Sequence, residues 1–106
     1  MKYLVDRHST DVAINRTIAP GRSWQLESVR VHLNAAGAAT NLTITVNAGA
    51  GAAYNVVLAT QAMGGVTDYF YKPDFPIPFG PGDAINIAYA NGDGAVIGTE
   101  VYYQGI

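Results

Sequence analysis

Hydrophobic and polar residues alternate along several short segments of this sequence, with the two-residue period of a β-strand. The clearest example is residues 42–47, where Leu, Ile and Val alternate with Thr and Asn. Residues 85–89 alternate in the same way. Within residues 24–33 the hydrophobic positions change parity, so we predict a strand with a bulge near Glu27-Ser28. Each segment predicts a strand with one buried face.

Further extended segments are separated by turn signals. We predict strands over residues 54–59 and 66–72, with the loop around Gly49-Ala50-Gly51 closing a hairpin. The prolines and glycines of residues 76–82 exclude a helix interior. Two more strands, 85–89 and 96–103, flank Asn91-Gly92-Asp93-Gly94 and predict a C-terminal hairpin.

No ten-residue window keeps the apolar stripe of an amphipathic helix, although alanine is abundant. Short strands spaced about ten residues apart predict an all-β fold, a single antiparallel β-sandwich or jelly roll of about seven or eight strands. Residues 1–20 have no sustained period and end at Pro20-Gly21, so we predict a short N-terminal arm. The sandwich domain is then residues 21–106.

The composition suggests a protein that associates with others. Hydrophobic residues make up 49% of the 106 residues and charged residues only 13%, against about one quarter in an average soluble domain. A surface short of charge is prone to self-association, so we expect a homo-oligomer. There is no cysteine, and therefore no disulfide framework.

The net charge of -2 is unevenly distributed. Residues 1–30 carry five basic and three acidic residues, whereas only Lys72 opposes five acidic residues after that. The two parts are therefore expected to face different partners. The basic residues are scattered among acidic ones, which argues against nucleic acid. No segment has the length of a membrane span or a signal-peptide core, so we predict synthesis in a cytoplasm and no membrane partner.

Catalytic and cofactor motifs are weak or incomplete. His8 and His32 are far apart and have no cysteine or further histidine to complete a metal site. Asn91, Asp93, Gly94 and Glu100 fit part of a calcium-loop pattern, but Tyr89 stands where its first ligand should be. We therefore predict no enzyme activity, no catalytic residues, no cofactor and no metal.

Exposed aromatic residues and the basic residues of the arm are the candidates for an interface, because aromatic residues and arginine are enriched in interface cores. For Trp24, burial in the core is at least as good an interpretation. The candidate residues are Tyr3, Leu4, Arg7, His8, Arg16, Arg22, Tyr69, Tyr71, Tyr102 and Tyr103.

Residues 24–33, the Thr-rich strand that follows, and residues 76–89 with the final hairpin resemble small jelly-roll proteins encoded among tailed-phage virion genes. The type that they resemble is the capsid decoration or cement protein. The resemblance covers residues 22–103 and rests on fold signals. It implies a homotrimer on the capsid exterior that binds the major capsid protein and stabilises the shell, with no catalytic residues.

The alternative is a glycan-binding or host-receptor-binding module of a phage fibre or tail tip, because exposed aromatic rings can stack on sugars. A small sandwich hydrolase is a third class, and no motif favours it. In the decoration hypothesis, the arm and the neighbouring basic residues bind the capsid or an adjacent subunit. Contacts from several subunits would add through avidity.

Overall fold

The computed structural model describes residues 3–106, and within this range the regular structure consists of nine β-strands and one 3-10 turn, Ala52–Tyr54. The strands are β1 (Tyr3–Thr10), β2 (Ile14–Ile18), β3 (Trp24–Leu33), β4 (Asn41–Asn47), β5 (Val56–Ala62), β6 (Asp68–Tyr71), β7 (Ile77–Phe79), β8 (Ala84–Tyr89) and β9 (Ile97–Gly105). In these residues there is no helix long and apolar enough to cross a membrane.

The strands form two antiparallel sheets. The first has the order β1-β9-β3-β6, with β7 also paired to β3, and the second has the order β2-β8-β4-β5. Successive strands cross from one sheet to the other at most connections, which gives the two-sheet strand order of a jelly roll. The predicted antiparallel sandwich is confirmed, and the described part of the chain has nine strands where the sequence predicted about seven or eight.

The core lies between the two sheets and is built by the alternation seen in the sequence. In β4, Leu42, Ile44 and Val46 are buried, and the Thr residues between them are half-buried on the outer side. Trp24 is fully buried, where it packs on Phe79 and Tyr103 with ring centroids 4.7 and 5.7 Å away. The Trp24 indole N–H donates to the Asp83 carbonyl oxygen at 3.2 Å, so its polar atom is satisfied.

The predicted bulge in β3 is present. The register of β3 against β9 shifts between Leu26 and Ser28, leaving Glu27 unpaired in the ladder. The extra residue lets Trp24 and Leu26 before the bulge, and Val29 after it, all face the core.

The predicted N-terminal arm is wrong for residues 3–18. Strand β1 pairs with β9 from Tyr3 opposite Gln104 to Thr10 opposite Ile97, and β2 pairs with β8. Met1 and Lys2, the start of the predicted arm, lie outside the described residues. The half-buried positions of β1 include Asp6, His8 and Thr10, so this strand lacks the apolar alternation that reveals a strand in a sequence.

The predicted C-terminal hairpin is also wrong, although both of its strands exist. Strand β8 lies in the second sheet and β9 in the first. The link between them turns at Asn91, which has a φ of 52°, and at Gly94, which has a φ of 67°. The Asn91 side-chain amide donates to the carbonyl oxygens of Val12 and Ala95. The turn therefore carries the chain from the second sheet to the first. Strands β8 and β9 do not pair with each other, and each pairs with strands that are distant in sequence.

Candidate functional site

The predicted interface residues do not form one surface. Three of them, Tyr3, Arg7 and Tyr102, belong to the outer face of the first sheet. Leu4 and His8 occupy the opposite, half-buried positions of β1. Arg22 is exposed and its guanidinium covers Gly105, where an added Cβ would lie 2.7 Å from the Arg22 Cζ.

Three predicted interface tyrosines are partly buried against the core, namely Tyr69, Tyr71 and Tyr103. Burial raises the pKa of the Tyr69 and Tyr71 hydroxyls. The middle residue of the aromatic run, Phe70, points the other way and is 57% exposed. Strand β6 therefore carries aromatic side chains on both faces, and its exposed ring is Phe70.

A surface cavity of about 710 Å³ lies on the outer face of the first sheet. Its lining residues come from four adjacent strands, β1, β9, β3 and β6. In the centre, Gly98 of β9 lies between Ser9 of β1 and His32 of β3 in the strand register. Because Gly98 has no side chain, it forms a low floor, and we call this cavity the Gly98 groove.

Charged side chains from three strands border the Gly98 groove. The Arg7 Nε donates to Glu100 Oε2 at 2.7 Å, and the Arg30 Nη1 lies 3.6 Å from Glu100 Oε1. The hydrogen bond from Arg7 lowers the pKa of the Glu100 carboxyl, which is therefore ionised at neutral pH. Two guanidinium groups thus share one carboxylate on this side of the groove.

A second pair of side chains, His32 and Asp68, closes the β6 side of the groove. His32 Nδ1 and Asp68 Oδ1 are 2.7 Å apart, and the Thr67 hydroxyl donates to Asp68 Oδ2 at 3.0 Å. The hydrogen bond with His32, followed by that from Thr67, lowers the pKa of the Asp68 carboxyl. Phe70 lies opposite Arg30 in the register and adds an exposed ring to the same rim.

Two residues of the partial calcium pattern, Asn91 and Glu100, have structural roles. Asn91 holds a turn, as described above, and Glu100 lies in β9 bound to Arg7. No group of three or more His, Asp or Glu side chains within residues 3–106 is arranged to hold a metal ion.

The second unusual surface is the free edge of the second sheet at β5. From Leu33 to Thr67 the sequence contains no Asp, Glu, Lys, Arg or His. This uncharged segment supplies β4 and β5, and it leaves Val56 and Val57 54% and 56% exposed and Tyr54 64% exposed. Edge strands of soluble proteins are commonly protected by charge or proline, and β5 has neither. We call residues 54–62 the uncharged edge.

The outer face of the second sheet continues this uncharged surface. Its outward positions on β2, β4 and β8 are occupied by Asn15, Thr17, Thr43, Thr45, Asn86 and Ala88. The Asn86 amide donates to Asn15 Oδ1 at 2.7 Å and to Thr17 Oγ1 at 3.2 Å. The Thr and Asn side chains thus satisfy one another's hydrogen-bonding groups across the strands, and no charged side chain takes part.

Sequence reasoning missed both surfaces. The uncharged edge has a signal that could have revealed it, the absence of charge from Leu33 to Thr67. The Gly98 groove has a weaker one, a single glycine inside a β-branched and aromatic strand. Its charged residues, Arg7, Arg30 and Glu100, come from both ends of the chain and meet only through strand pairing.

No protein-family model matches the chain, and no curated protein sequence matches it. Among solved structures, the chain is similar to the core of NLP from Drosophila, whose structure was described for its pentamer formation and histone binding. The two share 10% identity over 96% of this chain and 97% of that chain, with a TM-score of 0.47. Similarity at this level carries no information about what the present chain binds.

Proposed function

We propose that the protein is a non-enzymatic structural protein of a tailed-phage virion, which binds the outside of the capsid and stabilises the shell by bridging major capsid proteins. Its working form is a homo-oligomer, with a trimer favoured. The observation that carries this proposal is the uncharged edge, residues 54–62, with its exposed Val56 and Val57. The sequence resemblance to decoration proteins supports the same role.

A contact at the uncharged edge requires little desolvation of charge. Burying Val56, Val57 and Tyr54 removes apolar surface from water, which is worth about 25 cal/mol for each Å² buried. The free backbone N–H and C=O groups of an edge strand can also pair with a strand of another protein. Both contributions favour association with a protein surface.

The predicted N-terminal arm has no role in this proposed binding mechanism, because residues 3–18 belong to the two sheets. Binding is instead assigned to the uncharged edge and the uncharged outer face next to it. In an oligomer, each copy presents the same edge, so modest individual contacts combine through high effective concentration. Many such complexes on a shell can stabilise it without any strong single site.

The second candidate function is a glycan-binding or host-receptor-binding module of a fibre or tail tip. The Gly98 groove favours it, because a concave site with a few polar groups and an exposed ring is typical of small-ligand sites. Copy number separates the two functions. Quantitative protein staining of purified virions should give hundreds of copies per particle for a decoration protein and a few for a tip protein.

The decoration proposal is tested by a charge introduced at the uncharged edge. The double variant Val56→Lys, Val57→Lys should be lost from purified heads, while its melting temperature stays close to that of the wild type because both side chains are exposed. The matched control is Val12→Lys, at a similarly exposed valine in the turn between β1 and β2. Full retention of the double variant on heads would contradict the proposal.

A further inference from the structure

We infer that the Gly98 groove binds a sugar residue that carries a carboxylate group. The carboxylate would lie over Gly98 on the side of Arg7 and Arg30, and the ring would lie toward Phe70. Such a ligand is one negative charge attached to a ring with an apolar face. Each part matches a different portion of the groove.

The first support is that the fold has no need of glycine at position 98. Gly98 lies inside β9, and its φ is not positive. An added Cβ would meet no atom within 4 Å. Glycine inside a strand destabilises a protein by about 0.5–1 kcal/mol relative to alanine. A glycine that neither conformation nor packing requires is typical of a place where a ligand approaches the backbone closely.

The second support is the balance of hydrogen-bonding groups around the groove. All four carboxylate oxygens of Glu100 and Asp68 already face an arginine nitrogen, the His32 ring nitrogen or a hydroxyl, at distances of 2.7 to 3.6 Å. Within residues 3–106, the Arg7 guanidinium uses only Nε and the Arg30 guanidinium only Nη1. The remaining N–H groups and the Ser9 hydroxyl can donate, so the groove favours a ligand rich in acceptors.

The third support is the local charge. Arg7 and Arg30 share the single carboxylate of Glu100, which leaves one positive charge on that side of the groove. Asp68 lies on the opposite rim beside His32. With Asp68 included, the charged side chains of Arg7, Arg30, Glu100 and Asp68 have no net formal charge. A monoanionic carboxylate that contacts a guanidinium directly is therefore favoured over a phosphate with close to two negative charges, which Glu100 and Asp68 repel more strongly.

The fourth support is the ring of Phe70. It is 57% exposed and lies directly opposite Arg30 across β3 and β6. An exposed phenyl face offers apolar contact with a negative quadrupole, which suits the C–H groups on one face of a pyranose. A small carboxylic acid without a ring would leave this part of the rim unused.

The test is a titration of the full chain, monitored through the NMR chemical shifts of its amide groups. The three probes are methyl β-glucuronide, methyl β-glucoside, which lacks only the carboxylate, and inorganic phosphate. We expect saturable shifts at Ser9, Gly98 and Phe70 with the glucuronide, and binding at least about tenfold weaker for the other two. Equal binding of the glucoside or of phosphate would overturn the inference, as would the absence of saturable shifts with the glucuronide.

The variant Gly98→Val fills the groove floor. Because its side chain enters open space in an extended strand, we expect no loss of thermal stability and a loss of glucuronide binding of at least about tenfold. The matched control is Ala88→Val, which adds bulk on the outer face of the other sheet and should leave binding unchanged. Unchanged binding in Gly98→Val would overturn the inference.

A second variant, Phe70→Thr, removes the ring at an exposed position and does not depend on how Gly98→Val folds. It should weaken glucuronide binding and leave the melting temperature close to the wild-type value. Wild-type affinity in this variant would contradict the proposed position of the sugar ring. A sugar site can belong to a capsid decoration protein or to a fibre or tail-tip protein. The head-retention and copy-number experiments can therefore fail while this titration succeeds, and the titration can fail while those experiments succeed.

Discussion

Asp6 and Arg16 form an ion pair with two hydrogen bonds between the edge strands of the two sheets. The Arg16 Nε donates to Asp6 Oδ1 at 3.2 Å, and the Arg16 Nη2 donates to Asp6 Oδ2 at 2.8 Å. Asp6 belongs to β1 and Arg16 to β2, and both side chains are only partly exposed. Inward-pointing charges of this kind protect a sheet edge from pairing with other chains. The pair therefore closes this edge of the sandwich, in contrast to the uncharged edge at β5.

Replacing either member of this pair should destabilise the protein. We expect Asp6→Asn and Arg16→Gln each to lower the free energy of unfolding by about 1 kcal/mol, because the geometry is bidentate but water still screens the pair. Urea denaturation of both single variants and the double variant measures the coupling between them. The exposed pair of Arg7 and Glu100 is the control, and Arg7→Gln should change the free energy of unfolding less than either variant of the Asp6 and Arg16 pair. Additive effects at Asp6 and Arg16 would show that the two side chains do not interact.

Thr99→Val should stabilise the protein. Thr99 is 1% exposed on the core side of β9, and its hydroxyl has no hydrogen-bond partner within the described residues. Valine has nearly the same shape and removes the cost of a buried unpaired hydroxyl, so we expect a gain of about 1 kcal/mol in urea denaturation. Thr43→Val, at a half-buried position on the outer face of β4, is the control and should change stability less. A loss of stability in Thr99→Val would contradict this account.

Tyr89→Phe should destabilise the protein. The buried Tyr89 hydroxyl accepts from the Ala38 N–H at 2.9 Å and can donate to the Ala38 carbonyl oxygen at 3.4 Å, which ties the loop after β3 to β8. Removing the hydroxyl leaves the Ala38 N–H without this acceptor, so we expect a loss of about 1–2 kcal/mol in thermal or urea unfolding. Tyr54→Phe is the exposed control, and an equal effect there would contradict the role of the loop contact.

The contribution of Asp83 to stability should depend on pH. Its carboxylate accepts from the N–H groups of Gly49 and Gly80, each at 2.9 Å, and these bonds lower the pKa of Asp83 below its ordinary value of 3.8. A lowered pKa in the folded state stabilises the fold above the ordinary value, and this stabilisation is lost as the pH falls through the lowered pKa. Thermal unfolding of wild type and Asp83→Asn should therefore differ at neutral pH and converge in acid. A difference that does not change with pH would contradict the assignment.

How much of the fold was predictable depends on how each strand is buried. Strand β4, with Leu42, Ile44 and Val46 inward, was recognised because one face lies on the core and the other on solvent. Even the bulge at Glu27 was visible, since an extra residue in a continuous strand reverses the parity of the hydrophobic positions that follow it. Strand β1 was missed because its half-buried positions include Asp6 and His8, which lie near the sandwich edge.

The site was less predictable than the fold. The sequence separates basic residues in the first thirty positions from acidic residues later, which suggested two surfaces with different partners. The fold brings them together, because β9 is inserted between β1 and β3 and so places Glu100 between Arg7 and Arg30. Basic and acidic residues that are separated in the sequence therefore neutralise one another on the outer face of the first sheet.

The sequence by itself determined that this chain is an antiparallel β-sandwich and which faces of its clearest strands are buried, because a two-residue alternation and its turns are local properties. It also determined the uncharged segment from Leu33 to Thr67. Only the tertiary structure decided the pairing of β1 with β9, the placement of β8 and β9 in different sheets, and the groove over Gly98. Each of these depends on which strands become neighbours, and that choice is made by burying all the apolar faces in one core.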